Sequence, residues 1–126
     1  MLGTGRWNDP AVWREPTLIG GIFAAPDPAN LQQFEQGFER IYRAKPSRLA
    51  SVGYDAGALA AALASVENGL SNAGVANRDG FQGVNGLFRF RADGTAERSL
   101  SILEIDARDG AVPVELGANT FDPTVG

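Results

Sequence analysis

Histidine and cysteine are both absent from this chain. With them go thiol nucleophiles, Cys/His zinc sites, disulfides and every triad that needs an imidazole. Carboxylates are the catalytic chemistry left in easy reach, and two pairs lie close in sequence: Asp93 with Glu97, and Asp106 with Asp109. Both pairs sit at turn positions, where Asp is selected for the hydrogen bonds it makes to nearby backbone. That accounts for them without catalysis. Asp106-Ala107-Arg108-Asp109-Gly110 has neither the length nor the acidic density of a calcium loop. Gly3-Thr4-Gly5 lacks the third glycine and the Lys-Ser/Thr ending of a phosphate loop. It does resemble the loop at the carboxyl end of a strand, where open α/β sheets bind ligands. Gly5, Arg6 and Trp7 are therefore the candidate ligand-binding residues, since Arg can hold a carboxylate with two parallel bonds and Trp can stack. The competing reading is a surface Arg beside a half-buried Trp. No metal, cofactor or enzymatic activity is expected.

Composition narrows the class further. A chain of 126 residues makes one domain the default, able to bury roughly 65% of its unfolded surface. A net charge of −4 argues against nucleic acid, which requires a basic face. Arg40, Arg43, Lys45 and Arg48 fall along a helix end, where cations suit the helix dipole, and are expected to be solvated. Met1-Leu2 runs directly into Gly-Thr-Gly-Arg-Trp, so no secretory leader or membrane span is expected in these residues.

The elements that would position Gly5–Trp7 can be read in order. Met1 to Trp7 has the look of a strand's last residues followed by a loop. Asn8-Asp9-Pro10 is a turn before a short irregular or helical segment, Ala11 to Glu15, closed by Pro16. Thr17 to Ala25 is continuously apolar, as in a strand buried on both faces of a parallel sheet. Asp27 as N-cap and Pro28 as first helical residue start a helix with the stripe Leu31, Phe34, Phe38, Ile41 and Tyr42, stopped by Pro46. Ser47 can cap a second helix reaching about Val66, with Leu49, Val52, Ala56, Leu59, Ala60, Leu63 and Val66 as its stripe. Asp55 inside that helix must cap, pair or reach water, because burying an unpaired carboxylate is costly; structural pairing is expected. Asn68-Gly69 ends the helix, and Leu70 to Asp79 is a polar connection with room for a helical turn.

From Gly80 to Ile105, two alternating runs flank Asp93-Gly94 and read as a β-hairpin. Leu87, Arg89 and Arg91 share one face of its first strand, and Phe88 and Phe90 the other. The second run changes parity at Ile102-Leu103, which predicts a bulge or burial on both faces. Asp106 to Gly110 is a second turn, and Val112 to Leu116 an edge strand because Pro113 interrupts it. Gly117 to Gly126 is weakly patterned and expected to be loosely ordered.

Three phrases together resemble a known family: Leu2-Gly3-Thr4-Gly5-Arg6-Trp7, the helix around Tyr54-Asp55-Ala56, and Phe81-x-Gly83-Val84-x-Gly86-Leu87-Phe88-x-Phe90-x-x-Asp93-Gly94. In this order they are similar to the C-terminal part of type I periplasmic ligand-binding proteins, the Leu/Ile/Val-binding-protein-like group, including relatives known as penicillin-binding-protein activators. The resemblance runs to about Ile105. It implies an α/β fold, the C-terminal part of a Rossmann-like two-lobed protein, with parallel strands under helices and a β-hairpin near the C-terminus. The chain would be one unit of a longer protein whose missing part lies upstream.

The resemblance further implies an extracytoplasmic, periplasmic protein that binds a small polar ligand, such as an amino acid, between its lobes for ABC-type uptake. A membrane permease would be its partner. The alternative is a periplasmic interaction module regulating cell-wall synthesis, partnered by a cell-wall synthase. Where relatives bind amino acids, the loop after the first strand often supplies an acid to the ligand's ammonium; here Gly5-Arg6-Trp7 puts no acid before Asp9. Helix stripes lacking their strands would expose an apolar patch beyond what a monomer tolerates, so self-association is expected.

Overall fold

Two sheets share the chain, and one gives way to the other between Arg98 and Ser101. The computed structural model describes residues 1–121. The expected loose tail is thus described as far as Phe121, and the rest of it lies outside the described residues.

The first sheet has the order β1-β2-β6-β7. β1 (Leu2–Gly3) runs parallel to β2 (Ile22–Ala25), with Leu2 opposite Ile22. β6 (Ser101–Asp106) is antiparallel to β2, and β7 (Gly110–Glu115) closes the other side as an edge. Pro113 is tolerated there because an edge strand can leave one row of donors unpaired. The β6–β7 register shifts between Ile102 and Leu103, where the change of parity predicted a bulge.

Strand β2 is shorter than its apolar run. Residues Pro16–Leu18 form a 3₁₀ turn, and Gly20 takes a φ of 81°, a left-handed conformation open to glycine. Gly20 and Gly21 still meet β6: Gly20 N–H donates to the Ile105 carbonyl at 2.8 Å, and Ile105 N–H to Gly21 at 2.9 Å. Burial within β2 alternates, with Phe23 and Ala25 inward. One face is therefore covered, not both. The core that covers it is Phe23, Ala25, Leu103 and Ile105, joined by Trp7, Val12, Trp13, Leu18 and Ala111. Leu103 and Ile105 are wholly buried, at 0% exposure.

Between β1 and β2, Asp9 caps the short helix α1 (Pro10–Trp13), its carboxylate accepting from Ala11 N–H at 2.9 Å. Trp13 packs on the sheet, and its indole Nε1 donates to the Trp7 carbonyl at 2.7 Å.

The long helix α2 (Pro28–Tyr42) starts where Asp27 and Pro28 predicted, with Asp27 accepting from Ala29 N–H. It ends earlier than Pro46, at Arg43 in the left-handed conformation. Helix α3 (Ala50–Ala64) is capped by backbone at Leu49, and Ser47 contributes a carbonyl to Ala50 N–H in place of the expected side-chain cap. Phe34 of α2 meets Tyr54 of α3 with ring centroids 5.3 Å apart.

The buried row of α3 departs from the apolar stripe. Ser51, Asp55 and Leu63 are buried, whereas Leu49, Val52 and Val66 stand exposed. The reason is the second sheet, β3 (Phe81–Gly83), β4 (Gly86–Phe90) and β5 (Ala96–Arg98), antiparallel throughout. Its tight β3–β4 turn presents bare backbone to α3. Asp55 Oδ1 accepts from Val84 N–H at 2.7 Å, and Oδ2 accepts from the backbone and side-chain amides of Asn85, each at 3.1 Å. Ser51 Oγ donates to Asn85 Oδ1 at 3.2 Å. The pairing expected of Asp55 is this turn. Gly83 is required beside it, since a Cβ there would come within 2.6 Å of the Asp55 carboxyl carbon.

After a short helix α4 (Asn72–Val75), the Asp-Gly hairpin forms between β4 and β5 as predicted, with Arg91 N–H bonded to Thr95 and Arg89 directly opposite Glu97. The second alternating run does not continue it. Only Ala96–Arg98 pairs with β4; β6 belongs to the other sheet, and the parity change accompanies that transfer.

Asp55→Ala removes a carboxylate that satisfies two backbone donors. It is expected to cost about 3 kcal/mol in urea denaturation, because buried donors left unpaired lose their solvation without return. Gly83→Ala should cost about 1–3 kcal/mol through overpacking on the same carboxylate. Combined, the two losses should fall short of additive, since they break one contact.

Candidate functional site

The two parallel strands set the position of the site. Past the carboxyl end of β1, Gly5–Trp7 turns as a 3₁₀ segment; past the end of β2, the chain turns at Pro26. The two turns flank one groove of about 340 Å³. Its other walls come from Asn8, Asp9 and Pro10, from Leu31, Phe34 and Glu35 on α2, and from Pro46 to Arg48 entering α3. Ser51 and Asn85 reach its floor, so the groove rests on the Asp55 network.

Three sequence-predicted residues meet different surroundings here. Gly5 lines the groove. Arg6, next to it, is exposed. The Trp7 indole is turned to the sheet: it lies against Gly3 and Gly21 so closely that a Cβ on either would collide with the ring, and it meets Phe23 edge-on at 6.4 Å. Trp7 thereby anchors the turn that carries Gly5 and Arg6.

Besides Glu35 on α2, two groove residues that carry charge were set aside by sequence reasoning. Asp9 was read only as part of a turn, and Arg48 only as a cation at a helix end. The structure brings them together, with Arg48 Nη1 3.6 Å from Asp9 Oδ2, and their side chains 71% and 40% exposed. Such an open, long ion pair is worth little and separates readily. A lone Asp before Pro and an Arg seven residues ahead of Asp55 offered no local signal, because they meet through tertiary placement alone.

A second pocket, of about 520 Å³, lies at the far side of the β4–β5 sheet among Arg78, Asp79, Arg89, Phe90, Arg91, Glu97 and Phe121. Three of its charges, Arg89, Arg91 and Glu97, are engaged with one another. Arg89 Nε donates to Glu97 at 2.8 Å, its Nη1 donates to the Arg78 carbonyl, and its guanidinium lies 4.4 Å from the Phe121 ring centre. Arg91 adds a longer contact to Glu97 at 3.7 Å.

The carboxylate pairs behave as turn chemistry. Asp106 accepts from Asp109 and Arg108 N–H groups, which hold its carboxyl below the usual carboxylate value. The Thr95 hydroxyl, then its N–H, lowers Asp93 in the same way, and the hydrogen bond from Arg89 lowers Glu97. Among the described residues there is no group of three or more side chains able to hold a metal ion, and no helix long and apolar enough to cross a membrane.

These three lowered carboxyls fix the sign of a pH effect. A group more acidic when folded stabilises above its unfolded value, and that contribution disappears as pH falls through the folded value. Stability is therefore expected to fall with acidification below about pH 4. A variant carrying Asp93→Asn, Glu97→Gln and Asp106→Asn should show a flatter urea-midpoint profile over that range. An unchanged slope would count against these contacts.

No protein-family model and no curated protein matches the chain. Solved structures do. The chain is similar to a branched-chain amino acid ABC transporter protein of Rhodospirillum rubrum, with a TM-score of 0.72 and 24% identity over 88% of this chain and 36% of that one. It is similar to an ABC-transporter solute-binding protein of R. palustris in complex with benzoate, with a TM-score of 0.59 and 24% identity over 95% of this chain and 36% of the other. A substrate-binding protein of Desulfitobacterium hafniense in complex with Leu gives a TM-score of 0.55 and 21% identity over 90% and 35%. The fold is thus that of type I periplasmic ligand-binding proteins, and the chain spans about a third of the length of these neighbours.

Proposed function

We propose that the chain supplies one wall of the ligand cleft of a periplasmic solute-binding protein serving ABC-type uptake, with a membrane permease as partner. The observation that carries this reading is the place of the groove. It opens past the carboxyl ends of the parallel strands β1 and β2, where open α/β sheets take their ligands. The likeness of fold to solute-binding proteins supports the same reading.

The ligand class follows from the groove's charges. Benzoate and Leu, bound by two of the similar proteins, share a carboxylate. Arg48 is placed to receive it by leaving its open ion pair with Asp9, and Asp9 is then free to take an ammonium where the ligand has one. Asp9 would thus do the work of the acid that Gly5-Arg6-Trp7 lacks. In this reading Gly5 lets the ligand approach the backbone, Arg6 adds positive charge at the rim, and Trp7 holds the turn from beneath.

Binding by one wall alone is weak, so millimolar dissociation is expected for this chain. With leucine or benzoate added, backbone amide NMR shifts should concentrate at Gly5, Asn8, Arg48 and Asn85. They should diminish at least about tenfold in affinity, or 1.4 kcal/mol, in Arg48→Ala. Leucinamide, which has no carboxylate, should perturb them much less. Shifts confined to other surfaces, or equal shifts with leucinamide, would sink the assignment.

A further inference from the structure

The charges in the groove do not balance. Its walls carry two acids, Asp9 and Glu35, against one base, Arg48. Asp9 and Arg48 lie 3.6 Å apart, whereas among the described residues no ion pair reaches Glu35. Its own helix supplies no cation either. The side chains three and four residues away along α2 are Leu31, Gln32, Phe38 and Glu39, and Glu39 at i+4 is a like charge. Nor does the helix dipole call for an acid there. Glu35 stands about two turns beyond Pro28, and the dipole acts within the first turn. What separates Glu35 from an ordinary surface acid is its place in the wall of a cavity that is one cation short.

The wall around that acid is apolar. Leu31 and Glu35 lie on one face of α2, about 6 Å apart along its axis, and Phe34 lines the groove beside them. Carbon surface therefore leads to the carboxylate. Long cationic side chains use that combination, laying their methylenes on apolar surface and ending the charge in a polar place. Asp9 and Arg48, for their part, are close enough to take the ammonium and carboxylate that an amino acid carries on one carbon. A cavity of about 340 Å³ is at the small end of ligand pockets, which suits a single amino acid.

We infer that the groove prefers amino acids with a cationic side chain, lysine being the type, and that Glu35 is the residue that selects them. This selectivity rests on the carboxylate site proposed above and adds the charge at the far end of the ligand. Lysine brings two positive groups and one negative, which matches two acids and one base. A neutral side chain leaves Glu35 without a partner, and an acidic one meets repulsion. Discrimination thus comes from an attraction and from a penalty on the competitors.

Amide NMR titrations of the intact chain with lysine, norleucine and glutamate test the assignment, at low ionic strength because salt screens exposed charges. Norleucine has the aliphatic stem of lysine without its ammonium. Lysine should bind about three- to fivefold tighter than norleucine, the scale an exposed ion pair supplies, and glutamate should bind weakest. Glu35 is exposed, so Glu35→Gln should fold normally, and it should bring lysine down to the norleucine level. Glu39→Gln makes the same change to the net charge of −4 from a position outside the groove, and should keep the preference. That comparison separates a local contact from the general attraction of cations to an acidic chain. Arg48→Ala reads the carboxylate site separately, by weakening norleucine. Lysine no tighter than norleucine overturns the selectivity alone. A preference that survives Glu35→Gln, or is lost equally in Glu39→Gln, overturns it as well. If neither lysine nor norleucine shifts the groove amides, the carboxylate site falls and the selectivity falls with it.

Discussion

Asp55 holds the carboxylate through which the helices and the second sheet are joined. Its two oxygens collect the backbone N–H groups of Val84 and Asn85, twenty-nine and thirty residues away, and the Asn85 side chain as well. A two-residue turn leaves those donors unpaired within its own strands, and a buried donor without a partner is expensive. The carboxylate therefore sets how α3 approaches the sheet. It places Ser51 against Asn85, requires Gly83 beside it, and turns the polar row of α3 inward. The apolar side chains of the same helix are left facing outward as a direct result.

The groove inherits this arrangement. Its floor is Ser51 and Asn85, and its rim is the turn that Trp7 pins to Gly3, Gly21 and Phe23. The two sides of the groove thus rest on two separate packing units: the aromatic core of the first sheet and the hydrogen-bonded network of the second. Between them stands the Asp9–Arg48 pair, exposed enough that neither charge is committed.

Much of this was legible from local chemistry. Asp27-Pro28 starts α2 because a side-chain acceptor followed by a fixed φ satisfies the first turn of any helix, whatever lies around it. Asp93-Gly94 makes its turn for reasons contained in a few residues, and Pro113 marks an edge because it cannot donate. The Thr17–Ala25 run misled by its hydrophobicity. A left-handed Gly20 and a 3₁₀ turn shortened the strand, while Leu18 before it packs against the core and Ile19 stands exposed. The second alternating run misled in another way: alternation records a strand but says nothing of which sheet receives it.

Sequence by itself determined the start of α2, the turns, the need to pair Asp55, and the loop at the carboxyl end of the first strand. These depend on contacts within a few residues or on a constraint, such as the cost of a buried charge, that holds in any context. Only the tertiary structure decided what Asp55 pairs with, which side of α3 is covered, that Trp7 supports from below, and that Asp9 and Arg48 share the groove. Each of those is a meeting between residues distant in the chain, and periodicity describes one element's faces without saying what stands opposite them.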